Sequence, residues 1–348
     1  MVEAELGERS RQVLEAVIVD YTLTAEPVGS RAVSRKYHPD LSPATIRNAM
    51  ADLDELGYLT QPHPSAGRVP TDKAYRFYVD RMKAQPLSRT EATRLNRQVG
   101  GARSELDELM EHASLQLSSL SRYTGVVLAP PLSHTRLERV DLLPVGGERA
   151  LAVVVTETGW VTSRTITLGE PLRQLELREI ARLITEGFGG LTFQEIQGRL
   201  DDPGPPPEER LGRLALTLAE KVFALLRDRN LYIGGAINIL DQPEFADLDT
   251  MRMLLKAFEE KRRLIELLSS RAEAEGVRVV IGSENPYEEM HGTSVVTAVY
   301  KYGNHILGSL GVVGPRRMRY AKVVALVDYT AKLVSRRLDR LARAEPTA

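Results

Sequence analysis

The clearest periodic pattern in the chain lies between residues 41 and 60. Apolar side chains recur there at three- to four-residue spacing, which places them on one face of a helix. They are Ile46, Met50, Leu53 and Leu56. Ser42 followed by Pro43 is typical of a helix start, because the serine oxygen caps free backbone N–H groups and proline fits the first turn. With Gly57 as a stop, the pattern predicts an amphipathic helix with polar residues in its first turns.

The flanking residues predict a helix-turn-helix followed by a β-hairpin. Residues 28–37 form a shorter helical pattern, and a proline–aspartate turn connects it to the longer helix. Residues 58–60 and 68–69 can pair as short strands around a tip rich in proline and glycine at residues 62–67. This is the layout of a winged helix, in which the first turns of the second helix contact base edges of DNA. A three-helix bundle with a surface hairpin is the alternative.

Further helical patterns lie on both sides of this segment. Residues 10–21 predict an amphipathic helix that packs behind the helix-turn-helix, and Thr71 caps another helix. The sequence at residues 84–86 ends that helix and predicts the first domain boundary. Residues 88–123 then form one long helical pattern, which the glycine pair at residues 100–101 would kink.

The rest of the chain predicts two interleaved units. Strands at 139–142, 151–156 and 160–168 form an antiparallel meander, and helices at 175–186, 192–200 and 208–229 follow it. Outside this block the pattern gives strands at 124–130, 232–240, 277–281, 294–302 and 305–313, with helices at 249–275 and 320–343. A single α/β domain interrupted by an inserted block explains this order, and the insert would run from residue 134 to about 228.

Composition narrows the class of protein. The 348 residues carry a formal net charge of −1 and no cysteine, which excludes disulfides and thiolate metal sites. No run approaches the roughly 18 apolar residues of a membrane span, and no signal peptide precedes the first helix. These features predict a cytoplasmic protein. Nine basic against six acidic residues between Val28 and Lys83 give only a modest basic footprint, so tight DNA binding would need two copies acting together.

The predicted winged helix supplies a set of candidate DNA contacts. Arg47 and Asn48 would contact bases, and Ser42 and Thr45 would lie near the backbone. Alternatively, Arg47 forms a surface ion pair with an acidic residue of its own helix. The wing would offer four groups to the phosphates or the minor groove. They are His63, Ser65, the Gly67 amide and Arg68. The alternative for His63 is a solvated loop residue.

No catalytic, metal or cofactor site is predicted. The six histidines are scattered, and no nucleophile–base pair is recognisable. The spacing of Gly308, Gly311 and Gly314 does not match a phosphate-binding loop, so we interpret these glycines as strand and turn positions. The basic residues of the last helix are interpreted as a solvated face, with DNA contact as the less favoured alternative. The sequence therefore predicts that the chain is not an enzyme.

Five short motifs stand out: Ser42–Met50, Leu56–Leu59, the wing segment Pro62–Thr71, Ile281–Asn285 and Gly311–Tyr320. They resemble motifs of the HrcA family, the heat-inducible transcription repressors of bacterial chaperone operons. The resemblance runs over nearly the whole chain. The sequence departs from the family pattern at Pro64 and Arg316, where threonine is expected. The first departure removes a hydroxyl that could contact the DNA backbone, and the second has no interpretation from sequence.

The resemblance implies an α+β multidomain architecture. A winged helix-turn-helix at residues 1–86 would precede a GAF-like α/β domain at 87–133 and 229–348. A dimerising domain with a three-stranded antiparallel sheet and helices would be inserted at 134–228. The strands of the insert present more apolar surface than the block itself needs to bury, which predicts a two-fold contact through them. The residues concerned are Leu151, Val153, Val155, Trp160 and Ile166.

The resemblance also implies a function. A homodimer would bind an inverted-repeat operator of double-stranded DNA, called CIRCE in this family, and a GroEL-type chaperonin would help the protein reach its active form. Two alternatives remain. The GAF-like domain could sense a metabolite in a transcription regulator, or the protein could be an enzyme regulator whose N-terminal domain binds protein rather than DNA.

Overall fold

The computed structural model describes residues 6–99, 106–130, 135–157, 161–224, 231–239, 241–245, 251–252, 256, 261–269, 276–303 and 305–343. The described strands form a two-stranded, a three-stranded and a five-stranded sheet, and every pairing is antiparallel. The mixed α and β fold class predicted from the sequence is confirmed.

The first unit is a winged helix-turn-helix, as predicted. Its elements are α1 (Glu8–Thr24), α2 (Ser30–Lys36), α3 (Pro43–Glu55), β1 (Leu59–Thr60), β2 (Val69–Pro70) and α4 (Asp72–Arg81). The wing closes through the pairs Leu59–Pro70 and Thr60–Val69. Thr71 caps α4 by accepting a hydrogen bond from the Ala74 amide.

The chain then enters a second sheet and leaves it for the middle block. The first part comprises α5 (Arg89–Gln98), α6 (Leu106–Ser121) and β3 (Thr124–Leu128). The middle block comprises β4 (Leu137–Gly146), β5 (Arg149–Thr156), β6 (Val161–Thr167), α7 (Gln174–Phe188), α8 (Phe193–Asp201) and α9 (Arg210–Ala224). Strands β4, β5 and β6 form the predicted meander, and α7 and α9 pack on one of its faces around a hydrophobic cluster of their own.

The remaining elements return to the sheet that β3 began. They are β7 (Leu231–Gly234), α10 (Lys261–Ser269), β8 (Val277–Ile281), β9 (Thr293–Tyr302), β10 (His305–Pro315) and α11 (Tyr320–Arg343). The strand order is β7–β3–β10–β9–β8. Leu128 of β3 pairs directly with Leu231 of β7 although the whole middle block lies between them in sequence. Helices α6 and α11 pack on one face of this sheet, and α10 covers part of the other.

The winged helix and the five-stranded sheet share one hydrophobic core. A continuous cluster of buried side chains runs from α1, α3 and α4 through Leu95 to α6, α11 and one face of the sheet. At the contact between the two units, the ring of Tyr75 in α4 lies 5.9 Å from that of Tyr320 in α11. The winged helix is therefore packed against the α/β unit in this structure.

One element prediction needs correction, and two predicted helices are described only in part. The strand predicted at 232–240 ends at Gly234, because the chain turns at Gly235 with a φ of +62° and continues as a 3₁₀ turn at Ala236–Ile239. The long helix predicted at 88–123 is described as α5 and α6, and the glycine pair predicted to kink it lies outside the described residues. Of the helix predicted at 249–275, the structure describes Lys261–Ser269 as a continuous helix.

Candidate nucleic-acid interface

The N-terminal turn of α3 is built by its cap. The Ser42 hydroxyl oxygen accepts a hydrogen bond from the Thr45 amide at 3.1 Å and lies 2.9 Å from the Thr45 hydroxyl. Pro43 occupies the first helical position, as predicted. This geometry satisfies one of the free N–H groups of the first turn and holds both hydroxyls at the helix end expected to approach DNA.

Arg47 and Asn48 lie on the free face of α3. Both are exposed, while Ile46, Ala49, Met50 and Leu53 are buried in the core on the other side of the helix. The alternative interpretation placed Arg47 in an ion pair within its own helix. Across the part of the chain that the structure describes, neither side chain has a hydrogen-bond or ion-pair partner. Both are therefore free to contact bases.

The wing tip is held by a glutamine that the sequence analysis did not select. The Gln61 side-chain amide donates to the backbone oxygens of Pro64 at 2.8 Å and Ala66 at 3.0 Å. These bonds fold the tip so that His63 and Ser65 are exposed. A glutamine before a proline-rich turn carries no distinctive periodic signal, so only the three-dimensional structure reveals its role.

Gly67 is needed for packing at the base of the wing. A Cβ atom at this position would lie 2.5 Å from the backbone carbon and oxygen of Val28 and 2.7 Å from Pro27. The close approach allows a pair of backbone hydrogen bonds of 2.9 Å between Val28 and Arg68. The DNA contact predicted for the Gly67 amide stays a prediction, and the close approach to Val28 is a steric reason for the glycine that is independent of DNA.

Arg68 is tied to the predicted recognition helix. Its guanidinium forms an ion pair with Asp54 of α3 at 3.1 Å, and only 20% of the side chain is exposed. This contact fixes the wing against α3. A phosphate contact by Arg68 stays a prediction, and it would have to form beside this ion pair or replace it.

The basic residues of the winged helix divide into two groups. Lys36 forms a 2.7 Å ion pair with the buried Asp20 of α1, and this hydrogen bond raises the pKa of Lys36. Arg68 and Arg76 are likewise engaged with carboxylates. By contrast, Arg31 and Arg35 are exposed on α2, one helical turn apart, and have no partner among the described residues. Neither arginine is among the contacts predicted from sequence, where both enter only through their charge.

The candidate dimerisation residues fall into three groups. Leu151, Val153 and Val155 alternate along β5 on the face that α7 and α9 do not cover; Leu151 and Val153 are half-buried there, and Val155 is 8% exposed. Ile166 points to the opposite face, because it pairs with Ala150 and is buried in the block's own core with 3% exposure. It is therefore removed from the candidate contact. Trp160 lies outside the described residues.

The described residues form neither a metal-binding cluster nor a helix that could span a membrane. They contain no group of three or more histidine, aspartate or glutamate side chains arranged to hold a metal ion. None of the described helices is long and apolar enough to cross a membrane.

A winged helix-turn-helix with a free polar face on its second helix defines the class of DNA-binding transcription regulators. Comparison with known proteins agrees with this class. Residues 5–84 match the "winged helix-turn-helix transcription repressor, HrcA DNA-binding" domain, and residues 107–324 match the "HrcA protein C terminal domain".

Curated relatives match the chain over nearly its whole length. The heat-inducible transcription repressor HrcA of Geobacter sulfurreducens is 44% identical over 340 residues, which are 96% of this chain and 99% of that protein. The protein of the same name from Pelotomaculum thermopropionicum is 38% identical and covers 97% of this chain and 99% of its own. A crystal structure described as a hypothetical protein at 2.2 Å resolution shares the fold, with a TM-score of 0.66, 23% identity, and coverage of 97% of this chain and all of that one.

The chain belongs to the HrcA family of transcription repressors. The resemblance seen in the sequence is thereby confirmed, and so is the prediction that the chain is not an enzyme. The N-terminal unit is the family's DNA-binding domain. The alternative, in which this unit binds protein rather than DNA, is therefore not supported.

We expect Arg47→Ala and Asn48→Ala each to weaken binding to the specific DNA site by about 1–3 kcal/mol, the worth of a good bidentate base contact. Non-specific binding should change far less, because phosphate contacts supply most of it. Fluorescence anisotropy with specific and scrambled duplexes measures both quantities. Arg173→Ala is a matched control, because this arginine is highly exposed and lies at the start of α7. A variant that keeps full discrimination would show that its residue reads no base.

Arg68→Ala and Asp54→Asn together separate the two roles open to Arg68. If Arg68 contacts a phosphate, Arg68→Ala should weaken binding to all sequences about equally and reduce the salt slope by about one. Asp54→Asn breaks the same ion pair, at a cost of ~0–1 kcal/mol in stability, but keeps the arginine, so it should preserve the slope. Binding titrations over a series of salt concentrations give the slopes. Equal slopes in both variants and the parent would assign Arg68 to holding the wing.

Proposed function

We propose that the protein represses heat-shock chaperone operons by binding, as a homodimer, to an inverted-repeat operator of the CIRCE type. The observation that carries this proposal is the free face of α3, where Arg47 and Asn48 are exposed beside the capped helix start. The names of the curated relatives support the heat-shock assignment. The protein would act in the cytoplasm, where the bound dimer would block transcription.

We further propose the division of the chain into a winged-helix domain at 1–86, a GAF-like domain at 87–133 and 229–348, and an inserted dimerisation domain at 134–228. The pairing of Leu128 with Leu231 supports the insertion, because the two ends of the block emerge from adjacent strands. The separate hydrophobic cluster of β4–β6 and α7–α9 supports treating the block as a unit.

The uncovered face of the middle sheet is the proposed two-fold contact. Cross-strand pairing places Leu143 beside Leu151 and Val161 beside Val155, with Val153 between them. Leu143 is 48% exposed and Val161 39% exposed in the single chain. Burying such a face against its copy would remove apolar surface from water, the main driving force for obligate association. Two winged helices would then be held at the fixed separation that an inverted repeat requires.

A double charge substitution tests this contact. We expect Leu151→Asp with Val153→Asp to give a folded monomer, because burying unpaired carboxylates in an apolar interface is strongly unfavourable. The monomer should bind a half-site as the parent does and lose the tight binding to the full operator. Leu175→Asp is the matched control, since Leu175 is 75% exposed on α7, away from this face. Sedimentation velocity gives the oligomeric state.

Deletion of the block gives a second form of the same test. Because Leu128 and Leu231 are cross-strand partners, a short hairpin turn can replace residues 134–228 without separating β3 from β7. The shortened chain should be monomeric and keep weak half-site binding. A dimer that persists in both the double variant and the shortened chain would place the contact elsewhere.

We also propose that a GroEL-type chaperonin helps the chain reach its active form. The same sheet face supports this proposal, because it leaves apolar side chains in water until a second copy covers them. Chaperonin with ATP should raise the yield of half-site binding after dilution from denaturant, whereas albumin at equal mass should not. The Leu151→Asp, Val153→Asp variant should depend on chaperonin less than the parent, because its exposed face is charged. Equal yields with chaperonin and albumin would contradict the proposal.

A further inference from the structure

The two C-terminal motifs that resemble the family converge on one helix of the winged-helix domain. Ile281–Asn285 follows the edge strand β8, and Gly311–Tyr320 runs from β10 into α11. Both lie more than 190 residues from α4 in sequence. The first motif nevertheless bonds to α4 through side chains and a backbone amide, and the second bonds to it through the Arg316 side chain. Neither motif contributes to the free face of α3.

Asp72, at the start of α4, is held from both motifs. The Ser283 amide donates to Asp72 Oδ2 at 2.9 Å, and the Ser283 hydroxyl donates to the same oxygen at 3.0 Å. The Arg316 guanidinium donates to Oδ1 at 3.0 Å. Burial alone would raise the pKa of Asp72, but these hydrogen bonds and the charge of Arg316 outweigh it and lower the pKa. Asp72 is therefore held as a carboxylate against the α/β unit.

Gly282 makes this approach sterically possible. It has a φ of +48°, and a Cβ atom there would lie 2.2 Å from the Asp72 carboxylate. Any other residue would be strained and would also push α4 away. The glycine of the first motif is thus explained by a contact that spans the two units.

Arg76 makes the second attachment, one turn further along α4. Its Nε donates to Glu284 Oε1 at 2.7 Å, and its Nη2 bonds to the other oxygen of the same carboxylate. Nη2 also donates to the backbone oxygen of Val279 at 2.8 Å, on the outer edge of β8. A planar guanidinium that bridges a carboxylate and a strand edge fixes orientation as well as distance.

Three further contacts surround these two. The Tyr75 ring, 1% exposed, packs beside Tyr320 between the attachments. Arg317 donates to the backbone oxygen of Thr22 at 3.1 Å, at the end of α1. The connection after α4 is itself bound, because the Gln85 amide donates to the Ala321 oxygen at 2.9 Å. The winged helix is thus held at α1, at α4 and at its connection.

This attachment lies away from the DNA-contacting side chains. Arg47 and Asn48 are exposed, and nothing in the described α/β unit bonds to either of them. The contact therefore does not block the recognition face of its own chain. What it determines is the direction in which that face points relative to the sheet and to the inserted block.

We propose that Asp72 and Arg76, with Ser283, Glu284 and Arg316, form an α4 clamp that sets the orientation of the winged helix and so selects the half-site separation of the operator. The inference rests on the proposed dimeric function. In a dimer joined elsewhere, the separation of two recognition helices is fixed only if each winged helix is fixed to its own α/β unit. The effective concentration of the second half-site then depends on the rigidity of the clamp.

The test compares operators that differ only in spacing. Two half-sites at the natural separation, and with two or five base pairs inserted, are titrated with the parent, Asp72→Asn and Arg76→Ala. The parent should strongly prefer the natural spacing. In each variant the ratio of the affinities for the natural and the altered spacing should fall roughly tenfold, because the second winged helix of the dimer is then less well oriented toward its half-site. The affinity of each variant for a single half-site should equal that of the parent.

Control variants distinguish a changed orientation of the winged helix from general damage to the fold. Arg182→Ala removes an arginine that bridges two carboxylates, Glu179 and Glu186, on α7, and it should leave the spacing preference intact. Arg76→Lys keeps a charge opposite Glu284 and should restore part of the preference. If Arg76→Ala does not fold, Glu284→Gln tests the same bond from the other side.

The outcomes are distinguishable. A parent protein that binds two half-sites no better than one would overturn the proposed dimeric function itself. A parent with a clear spacing preference that both clamp variants retain would overturn only the clamp. Tighter binding of the natural operator by the variants would also overturn it, because the contact would then restrain the winged helix in an unproductive orientation.

Discussion

The pairing of β3 with both β10 and β7 is the constraint on which the architecture depends. Because β3 lies between these two strands, residues before the middle block and residues after it must share one sheet. The chain between Leu128 and Leu231 therefore leaves the sheet and returns to the adjacent strand. An inserted block of this kind can form its own hydrophobic core without changing the sheet from which it emerges. The separate cluster around α7 and α9 is such a core.

The same sheet gives the winged helix a fixed base. Among the described strands, the outer strand β8 pairs with β9 alone, and backbone groups along its other edge require partners or solvent. Arg76 bonds to the Val279 oxygen, and Glu284 accepts the Ile281 amide at 2.9 Å. The side chains that supply hydrogen-bond partners to the backbone of β8 are thus the ones that hold α4. Protection of the strand and attachment of the DNA-binding domain are one set of contacts.

Local signals explain which features could be predicted from sequence. The Ser42 cap and the Thr71 cap act within one helical turn, and the structure contains both. The apolar stripe predicted for α3 is buried at Ile46, Met50 and Leu53, whereas Leu56 lies just past the helix end and is 45% exposed. Contacts between distant segments left no such signal. The ion pair between Asp54 and Arg68 and the contact of Arg316 with Asp72 join residues with no periodic relation.

The sequence also could not show which face of the middle sheet is buried. The pattern of apolar residues and turns predicted β5 and β6 correctly, yet the sequence of one strand cannot say which of its two faces the helices will cover. The register places Ile166 beside Ala150, on the side covered by helices, whereas Leu151 pairs with Thr165 on the open side. Both faces carry apolar residues, and only the positions of α7 and α9 decide which of them is buried within a single chain.

The ion pairs of the winged helix also affect how strongly it can bind DNA. Of the basic residues in the winged helix, Lys36, Arg68 and Arg76 are engaged with carboxylates within the protein. Arg31, Arg35 and Arg47 stay free of such partners among the described residues. A small positive excess gives little non-specific attraction to phosphates, which favours the proposal that tight binding needs base contacts made by two copies at once. In that proposed dimer, the geometry between the two recognition helices would matter as much as the residues on them.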